Sequence, residues 1–189
     1  MLIERRRNIE GFVFLAAFAL CIPAANWLIS NFGTLCPPEG PCLIPVAPGI
    51  LAPSSVLAIG VAFVLRDLVQ RRLGINGALG AILAGTLLSV LVAPPSLVLA
   101  SVMAFFISEM ADFGIYTAMQ KGNFVLAVAA SSLVALVLDS VVFLALAFAS
   151  LDFLIGLVLG KTWIVLLSLP LVAWLRRRDA RLGFTPHEG

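Results

Sequence analysis

Stretches of about 20 apolar, almost uncharged residues recur along this 189-residue chain, and they limit its fold more severely than any other feature. A helix needs about 20 residues to cross roughly 30 Å of hydrocarbon at about 1.5 Å per residue, and it satisfies its own backbone polar groups on the way. Six segments qualify: 11–31, 50–73, 76–93, 95–120, 123–150 and 152–175. The cuts between them coincide with helix-breaking residues. Pro37, Pro38, Gly40 and Pro41 follow the first segment, Gly74 the second, Pro94 and Pro95 the third, and Lys121 and Gly122 the fourth. With 61% hydrophobic and 12% charged residues, the chain holds more apolar side chains than a soluble domain of this length can bury. The expected fold is an all-α integral membrane domain of six transmembrane helices, one unit over residues 1–189.

The basic residues orient it, because cytoplasmic flanks retain Arg and Lys. Arg5, Arg6 and Arg7 precede the first span, Arg71 and Arg72 end the second, Lys121 follows the fourth, and Arg176, Arg177, Arg178 and Arg181 follow the sixth. All lie on one side if both termini are cytoplasmic. The opposite connections, 32–49, 94–95 and 150–152, carry no Lys or Arg. The expected location is the inner membrane, crossed several times. A secretory-signal reading of the first 27 residues, with Ala24-Ala25 before a cut, would discard this agreement. A net charge of +2 without a basic patch gives no reason to expect nucleic acid.

Cys21, inside the first span, reads as a small apolar filler. Cys36 and Cys42 flank Pro37 and Pro38 in an outward loop, where a short disulfide and two free thiols both remain open. The single histidine, His187, sits in the polar tail. No metal or cofactor site is expected.

Against this apolar background stand Asp67, Glu109, Asp112, Asp139 and Lys161. Each costs about 2.5 to 3.5 kcal/mol in a bilayer, so each needs a reason, and the usual one is a solute pathway. Counting residues from span centres puts Glu109, Asp139 and Lys161 within about one turn of the midplane. Asp67 and Asp112 share a layer about one to two turns nearer the cytoplasm, and Asn26 lies in the outer half. In the fourth span Ser101, Phe105, Ser108, Asp112 and Tyr116 form a polar stripe at helical spacing, with Glu109 on its edge. A helix end dipping into water accounts for Tyr116 but poorly for Glu109. Lys161 is expected to pair with Asp139 or Glu109, and the carboxylate left over takes up a proton in low dielectric. Asp67 has a simpler partner in Arg71 or Arg66 at the helix end; Asp139→Asn or Glu109→Gln is expected to abolish uptake, and Arg66→Ala to be milder. Gly77, Ala81, Gly85 and Ser89 form a small-residue face suited to close packing, and Gly156 and Gly160 do the same before Lys161. Such stripes permit a homodimer without requiring one.

Several segments together resemble the putative vitamin uptake transporter family, which includes bacterial queuosine precursor transporters. They are Phe63-Val64-Leu65-Arg66-Asp67 through Arg71-Arg72-Leu73-Gly74, then Glu109-Met110-Ala111-Asp112-Phe113 with Lys121, then Ser131-Ser132 with Asp139-Ser140 and Phe143, then Gly160-Lys161, with Asn26 in the first span. The resemblance implies an importer of 7-cyano-7-deazaguanine or its aminomethyl relative, similar in architecture to the substrate-binding subunits of energy-coupling-factor transporters. Leu136 and Leu138 depart from the family pattern and leave the substrate open.

A deazaguanine offers adjacent N–H and amino donors that one carboxylate, Glu109 or Asp139, can accept together. An aromatic face adds about 1 to 3 kcal/mol, from Trp163 or Phe105. The expected solute-binding set is Asn26, Asp67, Phe105, Glu109, Asp112, Asp139, Lys161 and Trp163. One alternative is a binding subunit that recruits an energy-coupling module through Ala17, Leu20, Ala24 and Ala25. Another is a membrane enzyme using Glu109 and Asp112, which lacks any histidine at membrane depth. A non-enzymatic transporter is the expectation.

Overall fold

The computed structural model describes residues 2–38 and 40–183, with side chains from residue 4 onward. The described chain runs α1 (Leu2–Asn31), β1 (Leu43–Ala47), β2 (Ile50–Pro53), α2 (Val56–Val92), α3 (Val98–Met119), α4 (Phe124–Phe148) and α5 (Leu154–Leu182). All five helices are long and apolar enough to cross a membrane. Their surface is inverted relative to a water-soluble protein: Leu87, Leu91, Leu99 and Leu167 are among the most exposed residues, whereas Arg66, Asp67 and Asp112 are completely buried. Lipid, not water, is the solvent that such a surface suits.

Among the described residues α2 is two helices joined at Gly74, and its arms coincide with the second and third expected spans. α2 breaks at Gly74, whose φ of 76° and ψ of −172° lie in a region open essentially to glycine alone. At one end of α1 the Ser54 hydroxyl donates to the Leu28 carbonyl (2.7 Å), and at the other Arg72 donates to Glu10 (3.0 Å). The first arm, 56–73, therefore runs antiparallel to α1. Past the break, Gly85 packs between Ile22 of α1 and Phe105 of α3, and Ala81 joins Phe18, so the second arm, 75–92, runs back alongside α1. The small-residue face does the close packing expected of it: an added Cβ at Gly85 would sit 2.5 Å from the Phe105 ring.

Residues 50–53, expected to open a helix, form a strand instead. Pro45 and Pro53 disfavour helix there, and Ile44, Val46 and Ile50 suit extended backbone. Ile44 pairs with Ala52 and Pro45 with Leu51, and Pro48-Gly49 makes the turn with Gly49 at φ 73°. The hairpin lies on α5 through the two glycines before Lys161. An added Cβ would stand 2.2 Å from the Leu51 carbonyl oxygen at Gly156 and 3.1 Å from Val46 at Gly160. Cys36 and Cys42 are joined in a disulfide beside it.

The two ends of the bundle differ. Hairpin, disulfide and the Pro94-Pro95 turn share one end. At the other, Glu10 of α1, Arg71 and Arg72 of α2, and Arg178 and Asp179 of α5 interlock.

Candidate functional site

A cavity opens between the helices in the hairpin half of the bundle. Every helix contributes to its wall: Cys21 and Asn26 from α1, Ser55, Phe63 and Ser89 from the two arms of α2, Phe105 and Glu109 from α3, Asp139 and Phe143 from α4, and Lys161 from α5. The cavity has a volume of about 90 Å³. At about 10 to 15 Å³ for each water, that is room for several waters or a small organic molecule. The lining is mostly apolar with a few converging polar groups, the usual character of a small-molecule site.

Lys161 settles the choice of partner left open by sequence. Its Nζ donates to Asp139 and to the Ser140 hydroxyl (2.9 Å), so the Lys161–Asp139 pair is satisfied within the wall. Gly60 lets α2 approach the Lys161 carbonyl, where an added Cβ would lie 3.2 Å away. Asn26 gives its amide nitrogen to the Ile22 carbonyl (3.0 Å). Phe105 holds a tilted contact with Phe18, ring centroids 6.0 Å apart.

Glu109 is different. It is 99% buried, and neither carboxylate oxygen has a hydrogen-bond partner, although Arg66 Nε stands 3.4 Å away. It belongs both to the cavity wall and to a second group beneath it, centred on Arg66. There, Arg66 Nη2 lies 2.9 Å from Asp67 and 3.0 Å from Asp112, and the Ser131 hydroxyl donates to Asp67 (3.1 Å). Because both oxygens lie close to one nitrogen, the two carboxylates are within about 6 Å of each other, where like charges repel by roughly 3 kcal/mol at an effective dielectric of 20. Arg66 also donates to Gln70 (2.8 Å), which donates in turn to Thr117 (2.8 Å). Tyr116 lies under the guanidinium, its ring centroid 5.6 Å from the Arg66 carbon, and its hydroxyl has no hydrogen-bond partner.

The expected residues thus divide. Asn26, Phe105, Glu109, Asp139 and Lys161 converge on the cavity. Asp67 and Asp112 meet each other, as their shared depth implied, but around Arg66 and outside the lining. Trp163 does not join the cavity: about half exposed on the outer face of α5, it donates from Nε1 to the Val46 carbonyl (3.1 Å) and anchors the hairpin. Arg71 does not pair with Asp67 as one alternative had it; it binds Asp179 (2.9 Å) and covers the Phe124 ring at 4.0 Å. Arg66, whose replacement was expected to matter less than that of Asp139 or Glu109, is fully buried and is the cation facing three carboxylates. Sequence also passed over Ser55, Phe63 and Ser89 as wall residues. Ser89 had a signal as a member of the small-residue face, and Phe63 as the first residue of the segment that resembles the family. Among the described residues no cluster of three or more His, Cys, Asp or Glu is arranged to hold a metal ion, and His187 lies outside them.

Residues 89–175 match the family model described as putative vitamin uptake transporter. The matched stretch is somewhat less than half of the chain. It holds Phe105, Glu109, Asp112, Asp139, Lys161 and Trp163, while Asn26 and Asp67 precede it. Neither a curated protein nor a solved structure matches the chain. The long apolar helices make this a multi-pass membrane protein, and its second half is similar to the vitamin uptake transporter family.

Proposed function

We propose that the cavity binds a small planar heterocycle, a queuosine precursor such as 7-cyano-7-deazaguanine or its aminomethyl relative, and that the protein imports it across the inner membrane by alternating access. The observation carrying this reading is Glu109: a carboxylate with no hydrogen bond to either oxygen, on the wall of a largely apolar cavity. A ring N–H beside an exocyclic amine offers two parallel donors to such a carboxylate, and charge-assisted pairs of this kind are the strong ones. Asp139 is the lesser candidate, being held by Lys161. Phe105 offers the ring a face, and Asn26 a further polar contact.

Alternating access needs one end closed while the other admits solute. The interlocked residues Glu10, Arg71, Arg72, Arg178 and Asp179 suit a closed gate. Their end carries the basic flanks and would face the cytoplasm, with both termini. The disulfide and hairpin would then face the oxidising side.

Binding to the detergent-purified chain, followed by thermal shift against deazapurines and vitamins, tests the reading. A deazaguanine should raise the melting temperature of the wild type but not of Glu109→Gln. Equal shifts in both would remove Glu109 from the site, and no deazapurine response would remove the substrate class. Uptake that depends on a co-purifying ATPase would favour a binding subunit with an energy-coupling module.

A further inference from the structure

Three carboxyl side chains, Asp67, Glu109 and Asp112, surround the single guanidinium of Arg66, and all four groups are at least 99% buried. If every acid were ionised the group would carry two uncompensated negative charges. Its neighbours do not supply the balance: among the described residues Lys161 is held by Asp139, and Arg71 and Arg72 by Asp179 and Glu10. Buried charge without a partner is costly, and the smallest ligand that removes it is a proton. A metal ion suits the place poorly, because the guanidinium occupies the centre.

A second observation points to a ligand there. The Tyr116 hydroxyl is fully buried and has no hydrogen-bond partner, and its ring packs against the Arg66 guanidinium, 5.6 Å from ring centroid to carbon. A protonated carboxyl supplies the donor that a phenol oxygen can accept, while a neighbouring carboxylate can accept from the phenol. Glu109 connects this group to the cavity, whose wall it shares with Lys161 and Asp139. The charged and titratable groups facing Glu109 are Cys21 of α1, Arg66 and Asp67 of α2, Asp112 of α3, Asp139 of α4 and, across the cavity, Lys161 of α5.

We propose that Asp67, Glu109 and Asp112 around Arg66 form a proton-binding site, and that Glu109 ties its occupancy to the charge of whatever lines or fills the cavity. Loading transfers one proton from water to a carboxylate oxygen and unloading returns it; no other bond changes. In the transport reading of the cavity, on which its use for coupling rests, a solute donating to Glu109 displaces the proton, and Gln70 and Thr117 offer polar stations toward the basic end.

The proton is visible without any solute. Infrared spectra of the detergent-purified full chain should show, at neutral pH, a carboxylic-acid carbonyl band that shifts in deuterated water and that weakens in at least one of Asp67→Asn, Glu109→Gln and Asp112→Asn. Absence of such a band in the wild type, or its survival unchanged in all three variants, overturns the site. Asp139→Asn releases the Lys161 ammonium to face Glu109, and the site's proton affinity should fall by about tenfold or more, read as the pH at which the band is half lost. An unmoved midpoint overturns the link to the cavity. A wrong substrate reading gives a different result: no response to 7-cyano-7-deazaguanine, with the carbonyl band intact.

Discussion

Replacing Arg66 by leucine removes the cation from the buried acidic group while keeping an apolar side chain in its place. The structure loses contacts at 2.9 Å to Asp67, 3.0 Å to Asp112 and 3.4 Å to Glu109, together with the 2.8 Å hydrogen bond to Gln70. Breaking one buried ion pair by deleting a partner typically costs about 3 to 5 kcal/mol, because the other charge is left stranded. Here three carboxyls are stranded together, so the upper part of that range applies near neutral pH. For a chain of this size the melting temperature should fall by roughly 8 to 20 °C. The sign with pH follows from charge: protonating the three acids removes the uncompensated charge, so the deficit is largest at high pH and narrows as pH falls. Asp112→Asn added to Arg66→Leu should recover part of the loss for the same reason. Thermal unfolding in detergent, followed by tryptophan fluorescence across pH 5 to 9, measures all three effects. An Arg66→Leu protein that melts like the wild type at neutral pH would refute the reasoning, since the guanidinium would then not be compensating buried acids.

Gly74→Ala places a Cβ at a φ of 76° and ψ of −172°, and should cost about 1 to 3 kcal/mol of stability in the same melting assay, provided the reversal of α2 is kept. Gly156→Ala meets the Leu51 carbonyl oxygen at 2.2 Å, a backbone atom that cannot rotate aside. It should push the hairpin off α5 and break the Trp163 bond to Val46, seen as altered tryptophan emission and faster proteolysis within residues 43–53; unchanged emission and cleavage would argue that the hairpin is not seated there.

Depth was legible in the sequence and partnership was not. Each residue of a helix advances by a constant rise, so counting along apolar runs placed Glu109, Asp139 and Lys161 in one layer and Asp67 with Asp112 in another, and both groupings recur in space. The same counting could not rotate the helices. Trp163 sits two residues from Lys161, a separation that turns it about 200° around the helix axis, and it faces outward. Arg66 looked like one more basic residue near a helix end because its sequence neighbours include Arg71 and Arg72, yet α3 brings Glu109 and Asp112 to it from more than forty positions away. The hairpin escaped notice because a short apolar run reads the same as helix or strand by periodicity alone.

By itself, then, the sequence determined that the chain must live in lipid, where its spans are cut from one another outside the hairpin, and which charges share a layer, since these depend only on apolar length, on helix-breaking residues and on helical rise. Only the tertiary structure decided that Lys161 takes Asp139 and that Glu109 stands between a cavity and a buried guanidinium. Those outcomes depend on how each helix is rotated about its axis, and that rotation is set by contacts between residues far apart along the chain.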